Sequence, residues 1–127
     1  MVDSTAEELA IACAHVGDER KGENITVLNV GDVSSLTDYF VIITGRNPRH
    51  LRALRKAMEE KIDELGGRVM GVEGEPDAGW VLVDAEWMVV HLFSSDKREL
   101  YDLEMLWGDC PRIDWSARQP LQSGSGE

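Results

Sequence analysis

No window of this sequence approaches the roughly 18 consecutive apolar residues that a bilayer-spanning helix requires, and residues 1–8 are acidic where a secretory or organellar leader would be basic. A cytoplasmic protein with no membrane partner is expected. Cysteine is scarce: Cys13 and Cys110 lie far apart and match no metal or redox spacing, which fits two reduced thiols. His15, His50 and His91 are scattered, with no second ligand at metal spacing on the same element. Gly45 before Asn47 and Pro48 lacks the glycine spacing of a phosphate loop. No cofactor and no metal are therefore expected. Bases are also few: 13 Lys and Arg stand against 24 acids, a formal charge of -11. Such a charge opposes binding to phosphate backbones, makes duplex DNA an unsuitable ligand, and favours basic partners by long-range steering.

What is present fits one domain. The chain has 127 residues, 43% of them hydrophobic, enough for one sizeable core and not for two. Ser4 or Thr5, each with Glu three positions on, caps a first helix whose face is Ala6, Leu9, Cys13 and Val16 and which ends within residues 17–22. Residues 25–30 and 40–44 read as strands, the second apolar throughout, as in a central strand covered on both faces. Asn47-Pro48 starts a second helix with Leu51, Leu54, Met58, Ile62 and Leu65 as its buried stripe, and Gly66-Gly67 stops it. Three short strands follow at 68–72, 80–84 and 88–93, the last two an antiparallel hairpin turning at Ala85 and Glu86. Ser94 or Ser95 then caps a final helix with the face Leu100, Leu103, Leu106 and Trp107. The fold class is α/β (α+β), a mixed sheet flanked by helices, over residues 1–115. Residues 116–127 hold too little apolar surface to offset their ordering entropy and are expected to be a disordered tail.

Catalytic candidates are thin. Asp84 and Glu86 at a strand end are the best pair of carboxylates for a magnesium ion, and a hairpin turn explains them equally well. Binding candidates are richer. Trp80, Trp87 and Trp107 lie in residues 73–114, which carry eleven acids and three bases. Trp80 follows a loop glycine and Trp87 a turn residue, so each is either an interface hot spot or a cap on the core edge. His91 alternates with Val90 and Leu92 in a strand and is either a structural histidine or a contact. On the second helix, Arg46, Arg49, Arg52, Arg55 and Lys56 crowd the end where the helix dipole disfavours cations. A solvated polar face accounts for them, and so does a contact to RNA phosphate.

Five strings, in unbroken order, resemble the Iojap family of ribosomal silencing factors: Thr37-Asp38-Tyr39-Phe40-Val41-Ile42, Val72-Glu73-Gly74, Gly79-Trp80-Val81-Leu82-Val83-Asp84, Val89-Val90-His91-Leu92-Phe93 and Tyr101-Asp102-Leu103-Glu104-Met105-Leu106-Trp107. The resemblance spans residues 7–114. It implies a five-stranded, nucleotidyltransferase-like fold without the catalytic residues, and hence no enzyme. It further implies binding to the large ribosomal subunit through ribosomal protein fourteen at the intersubunit face, exclusion of the small subunit when nutrients are scarce, and a homodimer off the ribosome. By position in the matched strings, or between two of them for Arg98, the expected contacts are Trp80, His91, Arg98, Tyr101, Asp102 and Trp107, then Glu73, Asp38 and Tyr39. Trp87, outside the strings, is set aside. A nucleotidyltransferase-like enzyme using Asp84 and Glu86, and an assembly factor touching ribosomal RNA through the basic helix, stand as alternatives.

Overall fold

A computed structural model describes residues 5–120. Helix α1, Ala6–Glu19, starts at Thr5 in a reciprocal cap: the Thr5 hydroxyl accepts from the Glu8 amide at 3.1 Å and the Glu8 carboxylate accepts from the Thr5 amide at 3.0 Å. Ser4, the other expected cap, lies outside the described residues. Strands β1 (Glu23–Asn29) and β2 (Tyr39–Gly45) form an antiparallel pair. Helix α2, Pro48–Glu64, begins where expected, with the Asn47 side chain accepting from the His50 amide and Pro48 in the first turn. Its stripe Leu51, Leu54, Met58, Ile62 and Leu65 is buried. Strands β3 (Gly71–Glu75), β4 (Trp80–Asp84) and β5 (Met88–Ser94) follow, then the short helices α3 (Ser95–Tyr101) and α4 (Leu103–Leu106).

The strand order is β1-β2-β5-β4-β3, antiparallel except for the central β2-β5 pair. That one parallel pairing needs a crossover, which α2 and the β3-β4 hairpin provide. Both faces of the centre are covered. Val27, Val41, Ile43, Val81, Val83, Val90 and Leu92 pack under α1 and α2, whereas Leu28, Ile42, Phe93 and Cys110 form a smaller core with Phe40, Trp80, Leu103 and Trp107 on the opposite face. Cys13 and Cys110 are buried free thiols in these two separate clusters. Among the described residues no helix is long and apolar enough to cross a membrane.

Two expectations need correction. The strand set at residues 68–72 is Gly71–Glu75, because its partner β4 begins at Trp80 and the ladder pairs Gly71 with Asp84 and Glu75 with Trp80. The single last helix is two: Asp102 adopts φ 45 and ψ 56, a left-handed conformation that stops α3 and restarts the chain as α4. The turn rotates the apolar face, so Leu100 and Leu106, expected in the core, are 66% and 73% exposed. Past the expected boundary at residue 115 the chain is described as far as residue 120, and the rest of the expected tail, residues 121–127, lies outside the described residues. A 3-10 turn spans Trp115–Ala117, the Trp115 indole donates to the Ile25 carbonyl at 3.2 Å, His15 Nε2 lies 2.8 Å from the Arg118 carbonyl, and Arg118 pairs with Glu7. Side-chain partners on α1 and β1, which composition cannot reveal, hold this segment down.

Candidate partner-binding surface

Period-two alternation along β4 sends Val81 and Val83 beneath the long helices and turns Trp80 and Leu82 to the other face. Gly79 lets the chain enter β4 at φ 81, and a side chain there would strike Ser94. Gly74 is as constrained: at φ 88, an added Cβ would come within 2.1 Å of the Trp80 carbonyl oxygen, so the Glu73-Gly74 edge lies close against Trp80.

The Trp80 indole is the hub of an aromatic row. Its ring centroid lies 4.5 Å from Tyr101, 5.2 Å from Phe93 and 6.0 Å from His91. Phe40 continues the row edge-on, 4.8 Å from His91 and 5.2 Å from Trp107. Beneath Trp80, His91 is 5% exposed, and its Nδ1 accepts the indole N–H at 3.3 Å. An indole nitrogen only donates, so His91 is neutral with its proton on Nε2. That Nε2 is buried and has no hydrogen-bond partner among the described residues. Burial pushes the imidazole pKa down to about 4. His91 is therefore placed to support Trp80 from below, with almost none of its surface open to solvent.

Arg98 is likewise committed inside the molecule. It donates to Glu104 through Nε at 3.0 Å and Nη2 at 2.8 Å, to Thr44 Oγ1 at 3.0 Å and to Thr26 Oγ1 at 3.1 Å. This bidentate pair bridges the break at Asp102 and ties both short helices to β1 and β2. The Arg98 hydrogen bonds hold the Glu104 carboxyl below its ordinary pKa, against the opposing effect of its partial burial. The left-handed turn was not legible beforehand, and neither was this clamp.

With the helices held this way, Leu100, Tyr101, Met105 and Leu106 project to solvent at 66%, 44%, 79% and 73% exposure. Trp80, Leu103 and Trp107 are half-buried at their base. Glu73, Glu75, Asp96, Glu99, Asp102 and Asp109 are all exposed nearby in the fold. A cleft of about 250 Å³ lined by Glu73, Gly74, Trp80 and Leu82 opens beside the indole. The surface is thus apolar at its centre and acidic at its rim, the anatomy of a protein interface.

Of the expected contacts, Trp80, Tyr101, Asp102, Trp107 and Glu73 come together here. Asp38 and Tyr39 do not. The Asp38 and Tyr39 amides both donate to the Trp87 carbonyl at the other end of the sheet, and the Tyr39 hydroxyl donates to Glu7 of α1 at 2.9 Å, on the opposite face. Burial and the nearby Glu7 carboxylate raise the Tyr39 pKa to about 12. Trp87, at the hairpin tip, is 51% exposed. Asp84 Oδ1 accepts the Glu86 amide at 2.8 Å, so this carboxylate is occupied in shaping the hairpin turn. Sequence reasoning missed Leu100 and Leu106 as surface groups, since their spacing read as a buried helical face, and it gave Met105 no place on the surface.

The family described as "Ribosomal silencing factor during starvation" matches residues 3–126. The chain belongs to this family. It is 39% identical over 105 residues to the ribosomal silencing factor RsfS of Bacillus subtilis, covering 83% of this chain and 86% of that one. It is 35% identical over 92 residues to the mouse "mitochondrial assembly of ribosomal large subunit protein 1", covering 70% of this chain and 40% of that protein. A crystal structure of a Chromobacterium violaceum protein superposes with a TM-score of 0.79 at 28% identity, covering 96% of this chain and 98% of that one. Family membership accords with the mixed five-stranded sheet, and it places the chain among regulatory factors and not among named catalysts.

Proposed function

We propose that this chain binds the large ribosomal subunit through the surface built on Trp80, Tyr101, Leu106 and Trp107, and that by occupying the intersubunit face it prevents the small subunit from joining, so damping translation when nutrients are short. The observation that carries this reading is the exposed aromatic and aliphatic platform inside an acidic rim. Ribosomal proteins are basic, so the rim suits one of them by charge, and the half-buried indole supplies a rigid hot spot. The resemblance to the Iojap family gives ribosomal protein fourteen as the partner. It also gives a homodimer for the free chain and a cytoplasmic site of action. The mouse relative's name speaks for the large subunit as the assembly concerned.

Replacing Trp80 and Tyr101 together by alanine tests it. Hot-spot truncation costs about 2 kcal/mol or more per residue, so the double variant should fail to co-sediment with purified large subunits at concentrations where the native chain binds. Subunit joining, followed by light scattering, should be inhibited by the native chain alone. Native protein that leaves joining unchanged would refute the proposal.

A further inference from the structure

We propose that the start of α2 and the turn after α1 form a second contact surface, made for the phosphate backbone of RNA. An open cavity of about 310 Å³ is lined there by Arg20, Lys21, Arg46, Asn47, Arg49 and His50. Arg52 and Lys56 are exposed further along the same helix. Six of the chain's 13 bases are thus gathered on one face of a protein of net charge -11. None of them belongs to an ion pair among the described residues, where the three pairs are Lys61–Glu64, Arg98–Glu104 and Arg118–Glu7. Exposed Asp18 and Glu19 are near in sequence and pair with none of them.

The cavity is held in shape. His50 Nδ1 accepts the Arg46 amide at 2.9 Å, so its Nε2 carries the proton, which it donates to the Arg20 carbonyl at 2.8 Å. One imidazole thus fixes the loops that carry Arg20, Lys21 and Arg46 relative to each other. The Asn47 side chain takes up the His50 amide, so recognition falls to the guanidinium groups and not to the helix end. Stability does not explain Arg46 and Arg49, since cations at a helix N-terminus oppose the dipole, whereas Arg20 and Lys21 follow the C-terminus of α1, where cations are favoured. A bound anion relieves that opposition, and arginine pairs with phosphate oxygens in bidentate geometry.

Phosphate fits better than an acidic protein, because the lining has no large apolar side chain to anchor a protein partner. With so negative a chain the patch holds RNA by itself only at low salt, and at higher salt it works beside a stronger contact. The parallel register sets Gly45 opposite Ser94, so Arg46 and α3 leave the same end of the sheet, on opposite faces. For both surfaces to be used at once, RNA would have to flank the docked partner at this end of the sheet. The setting, though not the phosphate chemistry, rests on the large-subunit reading above.

The test uses the full chain and purified large subunits across a salt series. A variant carrying R46A, R49A and R52A should bind more weakly and reduce the slope of log affinity against log salt by up to about 2.7, since each phosphate contact contributes roughly 0.9. A control of equal charge change, S35D, A117E and Q119E, should keep the native slope. Replacing the three arginines by lysine should restore most of it. Equal slopes for the native and alanine chains would overturn the proposal and leave the platform reading intact. If the native chain does not bind subunits, the platform reading fails, and anisotropy with a short RNA hairpin at low salt decides this one: binding lost in the alanine variant supports it, and no binding by the native chain overturns it.

Discussion

His91 shows how one residue serves both the fold and the surface. It is in contact with Trp80, Phe40 and Phe93, and its depressed pKa has a consequence for stability. The unfolded imidazole, near 6.5, takes up a proton that the folded one, near 4, refuses. Below pH 6.5 the unfolded state therefore binds more protons, and stability falls as pH drops through the window from 6.5 to 4. Between pH 7 and pH 5 the loss should be about 2 kcal/mol. Glu7 and Glu104 have lowered carboxyl values, so their stabilisation is lost only below the ordinary carboxylate range, under pH 4.5. Denaturant unfolding of the native chain and of H91Q at pH 7 and pH 5 separates these effects. The native chain should lose the 2 kcal/mol, and the glutamine variant, which titrates nowhere in that interval, should lose little. Parallel pH profiles would exclude His91 as the cause.

The element that matters most is the broken helix after β5. Leu100, Leu103, Leu106 and Trp107 read as one helical stripe, and that reading fails at Asp102, whose left-handed turn leaves Leu100 and Leu106 outside. A left-handed non-glycine residue costs on the order of 1 kcal/mol, less for Asp than for most. D102G should thus raise stability by up to about 1 kcal/mol while removing a carboxylate from the acidic rim. Unfolding midpoints should rise as affinity for large subunits falls. Lower stability would mean that the Asp102 side chain holds the turn, and undiminished affinity would remove Asp102 from the contact set. Elsewhere the elements were legible because local signals agreed with tertiary demand: Thr5 with Glu8, Asn47 with Pro48, and the unbroken apolar run of β2. The β3 boundary and the Arg98–Glu104 clamp were not, because both are set by partners distant in sequence. His91 was selected as a contact by its string and Arg98 by its place between two strings, but such a match cannot tell an exposed side chain from one buried just beneath the surface.

On the scale of the whole molecule, charge and apolar exposure divide the surface into two regions at one end of the sheet, an acidic rim around the platform and a basic patch at the start of α2. The platform, unlike the patch, has a cost when left bare, because exposed Leu100, Tyr101, Met105 and Leu106 gain by being covered. On the reading proposed above, a second copy covering this surface in the free chain would satisfy the same demand that the ribosomal partner would meet later, and dimer and complex would then be exclusive. Placing lysine at Met105 and Leu106 tests both together. These side chains are 79% and 73% exposed, so the unfolding midpoint should move by no more than about 0.5 kcal/mol. Two cations facing a basic partner should nevertheless weaken subunit binding by at least a hundredfold, in line with about 3 kcal/mol for lost apolar contact and added repulsion. Sedimentation equilibrium should show the same variant as a monomer where the native chain self-associates. If it stays dimeric yet no longer binds subunits, the two surfaces are distinct, and excess native chain should then carry its dimer onto the subunit instead of dissociating there.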